Sequence, residues 1–106
     1  MTDNQAIDIS MLGWNVQEGM DSYCLSRQSD AGEDFEFSVS KENWIQDIVD
    51  YYNDFDPEEH AAEWYEAKQA GARGIPGIRV LLKDADEICD WLEELAILVS
   101  QFKEES

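Results

Sequence analysis

The sequence is poor in basic residues. It has seven lysines and arginines against 25 aspartates and glutamates, which gives a formal net charge of −18. Because such a surface repels phosphate, we expect no direct binding to nucleic acid and no binding to an anionic membrane. Three uses of the charge stay open: solubility alone, binding of a cation, or binding to a basic surface on another protein.

Long apolar runs and an export signal are also missing. No stretch of about 18 apolar residues occurs, so we expect no membrane span. The first four residues, 1–4, have neither a basic region nor an apolar run, which predicts no signal peptide. We therefore expect Cys24 and Cys89 to be reduced and partly buried thiols. Together these features predict a cytoplasmic protein.

Aromatic residues, in contrast, are abundant. Four tryptophans, four tyrosines and four phenylalanines occur among 106 residues, and hydrophobic residues make up 43%. This apolar content argues against a disordered chain despite the charge. A chain of this length is typical of one domain. We predict a single domain over residues 1–106 that needs no cofactor.

The order of apolar and polar residues predicts an α+β fold, with a small antiparallel β-hairpin packed on about three α-helices. Residues 1–22 show no clear period, so they form either a short helix ending near Gly13 or an irregular N-terminal arm. Residues 23–27 and 35–39 are predicted strands, and strict alternation in the second places Phe35, Phe37 and Val39 on one face. The hairpin over 23–39 should pack on the helices, because two strands alone are marginally stable.

Residues 40–102 are predicted to be helical. Ser40 is the expected N-cap of a first helix that ends near Asp54. Asp56 is the expected cap of a second helix that has Pro57 in its first position. This second helix should end near residue 70, at one of the following glycines.

The last predicted helix begins at Pro76 and continues to about Phe102. Trp91 and Leu98 share a face of this helix with Asp84, away from its main apolar stripe. They contact either the N-terminal arm or another chain. The stripe itself has helical spacing and should face the core: Ile78, Leu81, Leu82, Ala85, Ile88, Cys89, Leu92, Leu95, Ala96 and Val99.

Three rows of carboxylates follow the helices. Ordinary surface helices pair Glu with Lys four residues apart, yet no lysine or arginine lies between Lys41 and Lys68. Row members are about 4.5–6 Å apart along a helix axis, whereas DNA has one charge per about 1.7 Å, so two or three adjacent rows would approach its charge density. For a single row, a solvated helix face is the simpler interpretation. The rows are Asp47, Asp50 and Asp54; Glu59, Glu63 and Glu66; and Asp86, Asp90 and Glu93.

Catalytic and metal-binding patterns are weak. His60 lies near Glu59 and Glu63, but a zinc site would need a second histidine or cysteine. We expect His60 to be exposed in the first turn of its helix. Residues 53–58 are superficially similar to a calcium loop, but glycine is missing at the sixth position and Pro57 breaks the loop geometry. No base is placed beside either cysteine, so we predict no catalytic residues, no metal and no enzyme activity.

A set of residues in the C-terminal half to two-thirds of the chain forms a familiar pattern. These residues are Phe55-Asp56-Pro57-Glu58-Glu59-His60, Trp64, Ala67-Lys68, Gly71, Gly74, Pro76, Arg79, Leu82, Asp84-Ala85, Ile88, Leu92 and Leu95-Ala96. In this pattern the sequence resembles small acidic proteins carried by phages, conjugative plasmids and integrative elements of Gram-positive bacteria. Mobile elements of this kind encode acidic inhibitors of host defence, including anti-CRISPR and anti-restriction proteins, and some of these mimic DNA; the resemblance implies this context by association.

The sequence thus favours a non-enzymatic inhibitor of a bacterial defence nuclease. In this hypothesis the nine carboxylates of the three rows act as an acidic DNA mimic in a basic nucleic-acid channel, such as that of a CRISPR effector. The alternative is an interaction or regulatory module with an apolar surface around Trp91 and Leu98, in which the charge only gives solubility. Either protein could be a monomer or a homodimer. A metal-dependent enzyme at His60 is a third, weaker hypothesis.

Overall fold

The computed structural model describes residues 1–29, 34–69 and 77–105. Within these ranges the three strands form one antiparallel sheet in the order β1-β2-β3. This confirms the predicted α+β class. In chain order the elements are α1 (Asp3–Met11), β1 (Asn15–Glu18), β2 (Ser22–Gln28), β3 (Asp34–Ser40), α2 (Trp44–Asp54), α3 (Pro57–Gln69) and α4 (Ile78–Glu105).

The N-terminal segment is more ordered than an irregular arm. A capping box starts α1, in which the Thr2 hydroxyl accepts a hydrogen bond from the Gln5 amide and the Gln5 side chain accepts one from the Thr2 amide. The helix ends before Gly13, whose φ of 105° reverses the chain, so the helical alternative is confirmed. The sequence did not predict β1. This strand is short, mostly exposed and at the sheet edge, and its pairing with β2 defines it.

The predicted hairpin is confirmed and extends one residue further at each strand end. Leu25 pairs with Phe37, and Tyr23 pairs with Val39. The alternation in β3 buries Phe35, Phe37 and Val39 and exposes the residues between them. Since successive side chains of a strand point to opposite faces, one face of the sheet carries this apolar set into the core.

The predicted N-cap of the first helix is wrong. Ser40 is the last residue of β3 and pairs with Ser22 in the ladder, so its backbone belongs to the sheet. Helix α2 begins at Trp44, and its N-cap, Asn43, makes no capping hydrogen bond with its side chain. Ser40 still shapes the connection, because its hydroxyl accepts a hydrogen bond from the Asn43 amide at 3.2 Å.

The start of α3 is as predicted. The Asp56 carboxylate accepts hydrogen bonds from the amides of Glu58 at 3.0 Å and Glu59 at 3.4 Å. These amides have no partner within the helix, so the carboxylate satisfies them and also complements the helix dipole. The predicted end of this helix beyond residue 69, and the start of the last helix at Pro76, lie outside the described residues.

Two apolar clusters form the core, and α4 contributes to both. In the larger one, Ile88, Leu92, Leu95 and Val99 pack against the sheet, α1 and α2. In the smaller one, Leu81 and Ala85 pack on Ala61 of α3. The predicted stripe of α4 is therefore buried, except that Leu82 and Cys89 are half-buried and the Ile78 side chain is outside the description. None of the described helices combines the length and the apolarity that a bilayer crossing requires.

Candidate functional site

A depression at the junction of α2 and α3 collects carboxylates from both helices. Four of them are exposed, and we call this set the acidic junction: Asp54, Asp56, Glu59 and Glu63. The junction exists because α2 ends at Asp54, Phe55 adopts an extended backbone, and the Asp56 cap starts the next helix at once. Neither lysine nor arginine is found among the described residues that line it. The first two predicted rows therefore meet. The other lining residues are Tyr51, Phe55 and His60.

Aromatic rings underlie the acidic junction. Tyr51 stacks on Phe37 with ring centroids 4.4 Å apart and an interplanar angle of 14°. The His60 ring lies 5.6 Å from Phe35 and 5.3 Å from Phe55. His60 is thus half-buried, which corrects the expectation of an exposed histidine: Phe35 reaches from the sheet to the first turn of α3. This packing sets the relative position of the two acidic helices.

The structure does not bring metal ligands together around His60. Among the residues described, no group of three His, Cys, Asp or Glu side chains is arranged to hold a metal ion. The aromatic contacts of His60 give it a packing role instead. His60 offers no geometric support for the metal-dependent hypothesis.

The remaining members of the first two rows differ in their availability. Asp47 is half-buried, and its carboxylate accepts hydrogen bonds from both the amide and the hydroxyl of Ser40. These bonds favour the ionised form and lower the pKa of Asp47. Asp50 is exposed and accepts a hydrogen bond from Gln46 at 2.9 Å. Glu66 is exposed on α3, one turn beyond Glu63. Asp50 and Glu66 therefore extend the acidic junction, whereas Asp47 serves the fold.

The third row, Asp86, Asp90 and Glu93, lies on the opposite flank of α2. Burial, followed by the charges of Glu93, Cys89 and Asp90, raises the pKa of Tyr52 on that flank. Tyr52 follows Tyr51 directly, but consecutive helical residues differ by about 100° in direction. Tyr51 therefore faces the sheet while Tyr52 faces α4. The hypothesis of one surface built from nine carboxylates needs correction, since two rows merge and the third is separate.

That opposite flank contains a groove that the sequence did not reveal. Ile97, 54% exposed, lies in it beside the nearly buried Ala96. In the sequence Ile97 looks like one more residue of a continuous apolar run, so only its off-stripe position on the helix could have indicated exposure. We call the feature the α2–α4 groove, and its lining is Val49, Tyr52, Asn53, Glu93, Ala96, Ile97, Ser100 and Gln101.

Trp91 contacts the N-terminal segment, as in the first of its two predicted alternatives. Its ring meets Trp14 edge-on with centroids 6.5 Å apart. The Arg27 guanidinium lies 4.1 Å above the same ring and donates a hydrogen bond to the Leu12 carbonyl at 2.7 Å. Leu98 is half-buried and packs against the larger core cluster. Both predicted anchors of the apolar alternative are thus used, at least in part, within the chain.

Several basic side chains are occupied by internal contacts. Lys41 forms an ion pair with Glu18 at 3.3 Å, and Lys103 donates a hydrogen bond to Gln46 at 3.4 Å. Arg27 is held at Trp91 and Leu12. Most acidic side chains of the described ranges, in contrast, are exposed, the exceptions being Asp47, Asp84 and Glu87. The negative surface is therefore weakly compensated from within.

Comparison of the chain with protein-family models, with curated proteins and with solved structures finds no match. Function is therefore inferred from the geometry and the charge of the site itself.

Proposed function

We propose that this protein is a non-enzymatic inhibitor that occupies the basic nucleic-acid channel of a bacterial defence nuclease as an acidic mimic of DNA. The observation that carries the proposal is the acidic junction. Two helices bring four exposed carboxylates around one depression, with no lysine or arginine among its described lining. A channel that normally holds a phosphate backbone presents the complementary lysines and arginines.

The charge density supports this proposal. Carboxylates four residues apart on one helix are separated by about 6 Å along its axis. At the acidic junction the end of one row meets the start of the next, so charges from two helices lie around one depression. The whole chain measures 48 × 24 × 21 Å, and a duplex as long as its greatest extent would carry about 28 phosphates. The net charge of −18 is of the same order.

The negative charges also lack lysine partners within their own helices, and this supports recognition of a basic partner. Like charges around one depression repel each other and reduce the stability of the compact state. Intrahelical Glu–Lys pairs would relieve this repulsion, and the chain between Lys41 and Lys68 has none. A basic channel would supply the missing counter-charges on binding. Association should then be fast at low ionic strength and should weaken as salt screens the charges.

The test is competition with DNA for a panel of CRISPR effectors and restriction nucleases. Fluorescence anisotropy of labelled target DNA would report displacement by this protein, first at about 0.01 M and then at about 0.15 M ionic strength. The test variant changes the acidic junction to Asp54→Asn, Asp56→Asn, Glu59→Gln and Glu63→Gln. Asparagine is also a good N-cap, so α3 should keep its start.

A matched control removes four charges from α4 instead, through Asp86→Asn, Asp90→Asn, Glu93→Gln and Glu94→Gln. We expect the junction variant to inhibit at least about tenfold less well, the equivalent of about 1.4 kcal/mol, and the control to stay close to the wild type. Undiminished inhibition by the junction variant would overturn the mimic mechanism. Equal losses in both variants would assign the effect to net charge alone.

A further inference from the structure

The shape of the α2–α4 groove suits the binding of a third helix. Its α4 side consists of residues 93, 96, 97, 100 and 101, which follow helical spacing along one stripe. Its α2 side consists of residues 49, 52 and 53, again with helical spacing. The α4 stripe extends about 12 Å along its axis. A concave surface between two packed helices matches the ridge of another helix, so the shape favours a short helical segment.

The floor of the groove is apolar and incompletely covered. Ile97 is 54% exposed, while its chain neighbour Ala96 is only 6% exposed. Val49 and Tyr52 are half-buried on the facing side. The lining also has polar residues, and among them Ser100 donates a hydrogen bond from its hydroxyl to the Ala96 carbonyl at 2.7 Å. Apolar side chains from an occupant would therefore contact Ile97, Val49 and the Tyr52 ring.

The negative charge around the groove favours a positively charged segment as its occupant. Glu93 lines it, and Asp90 and Asp86 continue the same acidic row along α4. The amine of Lys103 lies beyond the other end, at Gln46. A second copy of this chain would bring another net charge of −18 and would be repelled. A segment with lysine or arginine beside its apolar residues would instead be attracted.

We propose that the α2–α4 groove binds a basic amphipathic helix of a protein partner. The helix places apolar residues at i, i+3 or i+4, and i+7 against Val49, Tyr52 and Ile97, and a lysine or arginine beside Glu93 and Asp90. This surface lies on the flank of α2 opposite the acidic junction. It goes beyond the proposed function, because a partner bound here leaves the acidic junction uncovered.

The probe is a synthetic two-heptad peptide of leucine and lysine with leucine on one helical face. A second peptide has the same composition in an order that disperses the leucines, so it carries the same charge without an apolar face. Binding is measured by anisotropy of the labelled peptides and located by amide chemical-shift changes. We expect the amphipathic peptide to bind at least about fivefold more tightly than the dispersed one, with shifts around Ile97, Val49 and Tyr52.

Two isoleucines give a matched pair of variants. Ile97 is 54% exposed and Ile7, on α1, is 55% exposed, so neither substitution should unfold the protein, which circular dichroism would verify. Ile97→Ser should lower the affinity for the amphipathic peptide at least about fivefold, and Ile7→Ser should change this affinity by less than about twofold. The Asp90→Asn, Glu93→Gln variant should also weaken binding at low salt.

Three results would overturn this proposal. The first is equal binding of the two peptides, because charge alone would then explain the affinity. The second is an Ile97→Ser effect no larger than that of Ile7→Ser. The third is a dimer in sedimentation equilibrium that Ile97→Ser dissociates, since the occupant would then be a second copy of the chain.

Discussion

The carboxylate of Asp47 accepts two hydrogen bonds from Ser40, one from the backbone amide at 2.9 Å and one from the hydroxyl at 2.7 Å. The pair ties the first turn of α2 to the end of β3. Hydrogen bonds to a carboxylate favour its ionised form, and the pKa of Asp47 is accordingly below its ordinary value of 3.8. Asp47 is part of a predicted acidic row, but because its carboxylate is engaged by Ser40 it is less available to contact a partner than that of Asp50.

Replacing Asp47 should therefore affect stability in a pH-dependent way. Asp47→Ala should lower the free energy of unfolding near neutral pH by about 1 kcal/mol, because it removes charged hydrogen bonds at a half-exposed site. A depressed pKa stabilises the folded state above the unfolded pKa, and this stabilisation is lost as pH falls through the folded value. Urea unfolding between pH 7 and pH 3 should show the gap to wild type closing below about pH 4.

The control for that series is Asp50→Ala, which removes an exposed carboxylate from the same helix. Its bond to Gln46 stays within α2, so its effect on stability should be smaller. If the Asp47→Ala gap stayed constant down to pH 3, lost packing rather than lost charge would explain it.

Trp91 should behave as a residue of the fold. Its ring contacts Trp14 and supports the Arg27 guanidinium, so Trp91→Ala should destabilise the protein by about 2–3 kcal/mol, somewhat less than a fully buried tryptophan. Met20→Ala is the control, because Met20 is 93% exposed. Chemical denaturation measures both. A Trp91→Ala protein that unfolds like the wild type yet loses self-association or partner binding would favour the apolar-interface alternative.

Gly13 should resist substitution. Its φ is 105°, and an added Cβ would lie 3.1 Å from the Arg27 Cζ. Gly13→Ala should thus cost about 1–2 kcal/mol through backbone strain, and it should loosen Arg27 from Leu12. The Gly77→Ala control adds a Cβ that meets nothing within 4 Å. The thermal unfolding temperature of Gly13→Ala should be well below that of Gly77→Ala. The reverse order would contradict this account of the α1–β1 turn.

The Cys89 thiol should react slowly. Burial, followed by the neighbouring charges of Asp90, Asp86 and Glu93, raises its pKa. A smaller fraction of Cys89 is therefore in the reactive thiolate form at a given pH. In a Cys24→Ser background, alkylation by iodoacetamide should accelerate as pH rises through and above the ordinary thiol range. Added salt and Asp90→Asn should both increase the rate at fixed pH.

The control for the charge effect is Asp50→Asn, which removes an equal charge that is not among the groups raising the Cys89 pKa. It should change the alkylation rate less than Asp90→Asn does. Equal rates in both variants would contradict the contribution of the Asp90 charge.

Periodic and local features of the fold were predictable from the sequence. Alternation in residues 35–39 predicted which side chains of β3 face the core, because successive strand residues point to opposite sides. The Asp56-Pro57 start of α3 was predictable because a cap is completed within a few residues. Strand β1 was not predictable, since its exposed residues have no apolar alternation and only pairing with β2 orders them.

The candidate site was predictable in its residues but not in its arrangement. The sequence indicated the carboxylates and their spacing on each helix. It could not indicate that Ser40 would donate hydrogen bonds to the Asp47 carboxylate, nor that His60 would pack on Phe35, because both contacts join the sheet to a helix. The groove beside Ile97 likewise depends on how α2 and α4 meet.

The sequence by itself determined that this protein is strongly acidic, that its helices have rows of carboxylates with few lysines or arginines nearby, and that α4 has an apolar stripe which faces the core. These properties depend on composition and on spacing within one element. The tertiary structure alone decided that the rows of α2 and α3 meet at the acidic junction while the row of α4 lies apart. The physical reason is that Tyr51 packs on the sheet and Tyr52 faces α4, which fixes the rotation of α2 and places its two flanks on different surfaces.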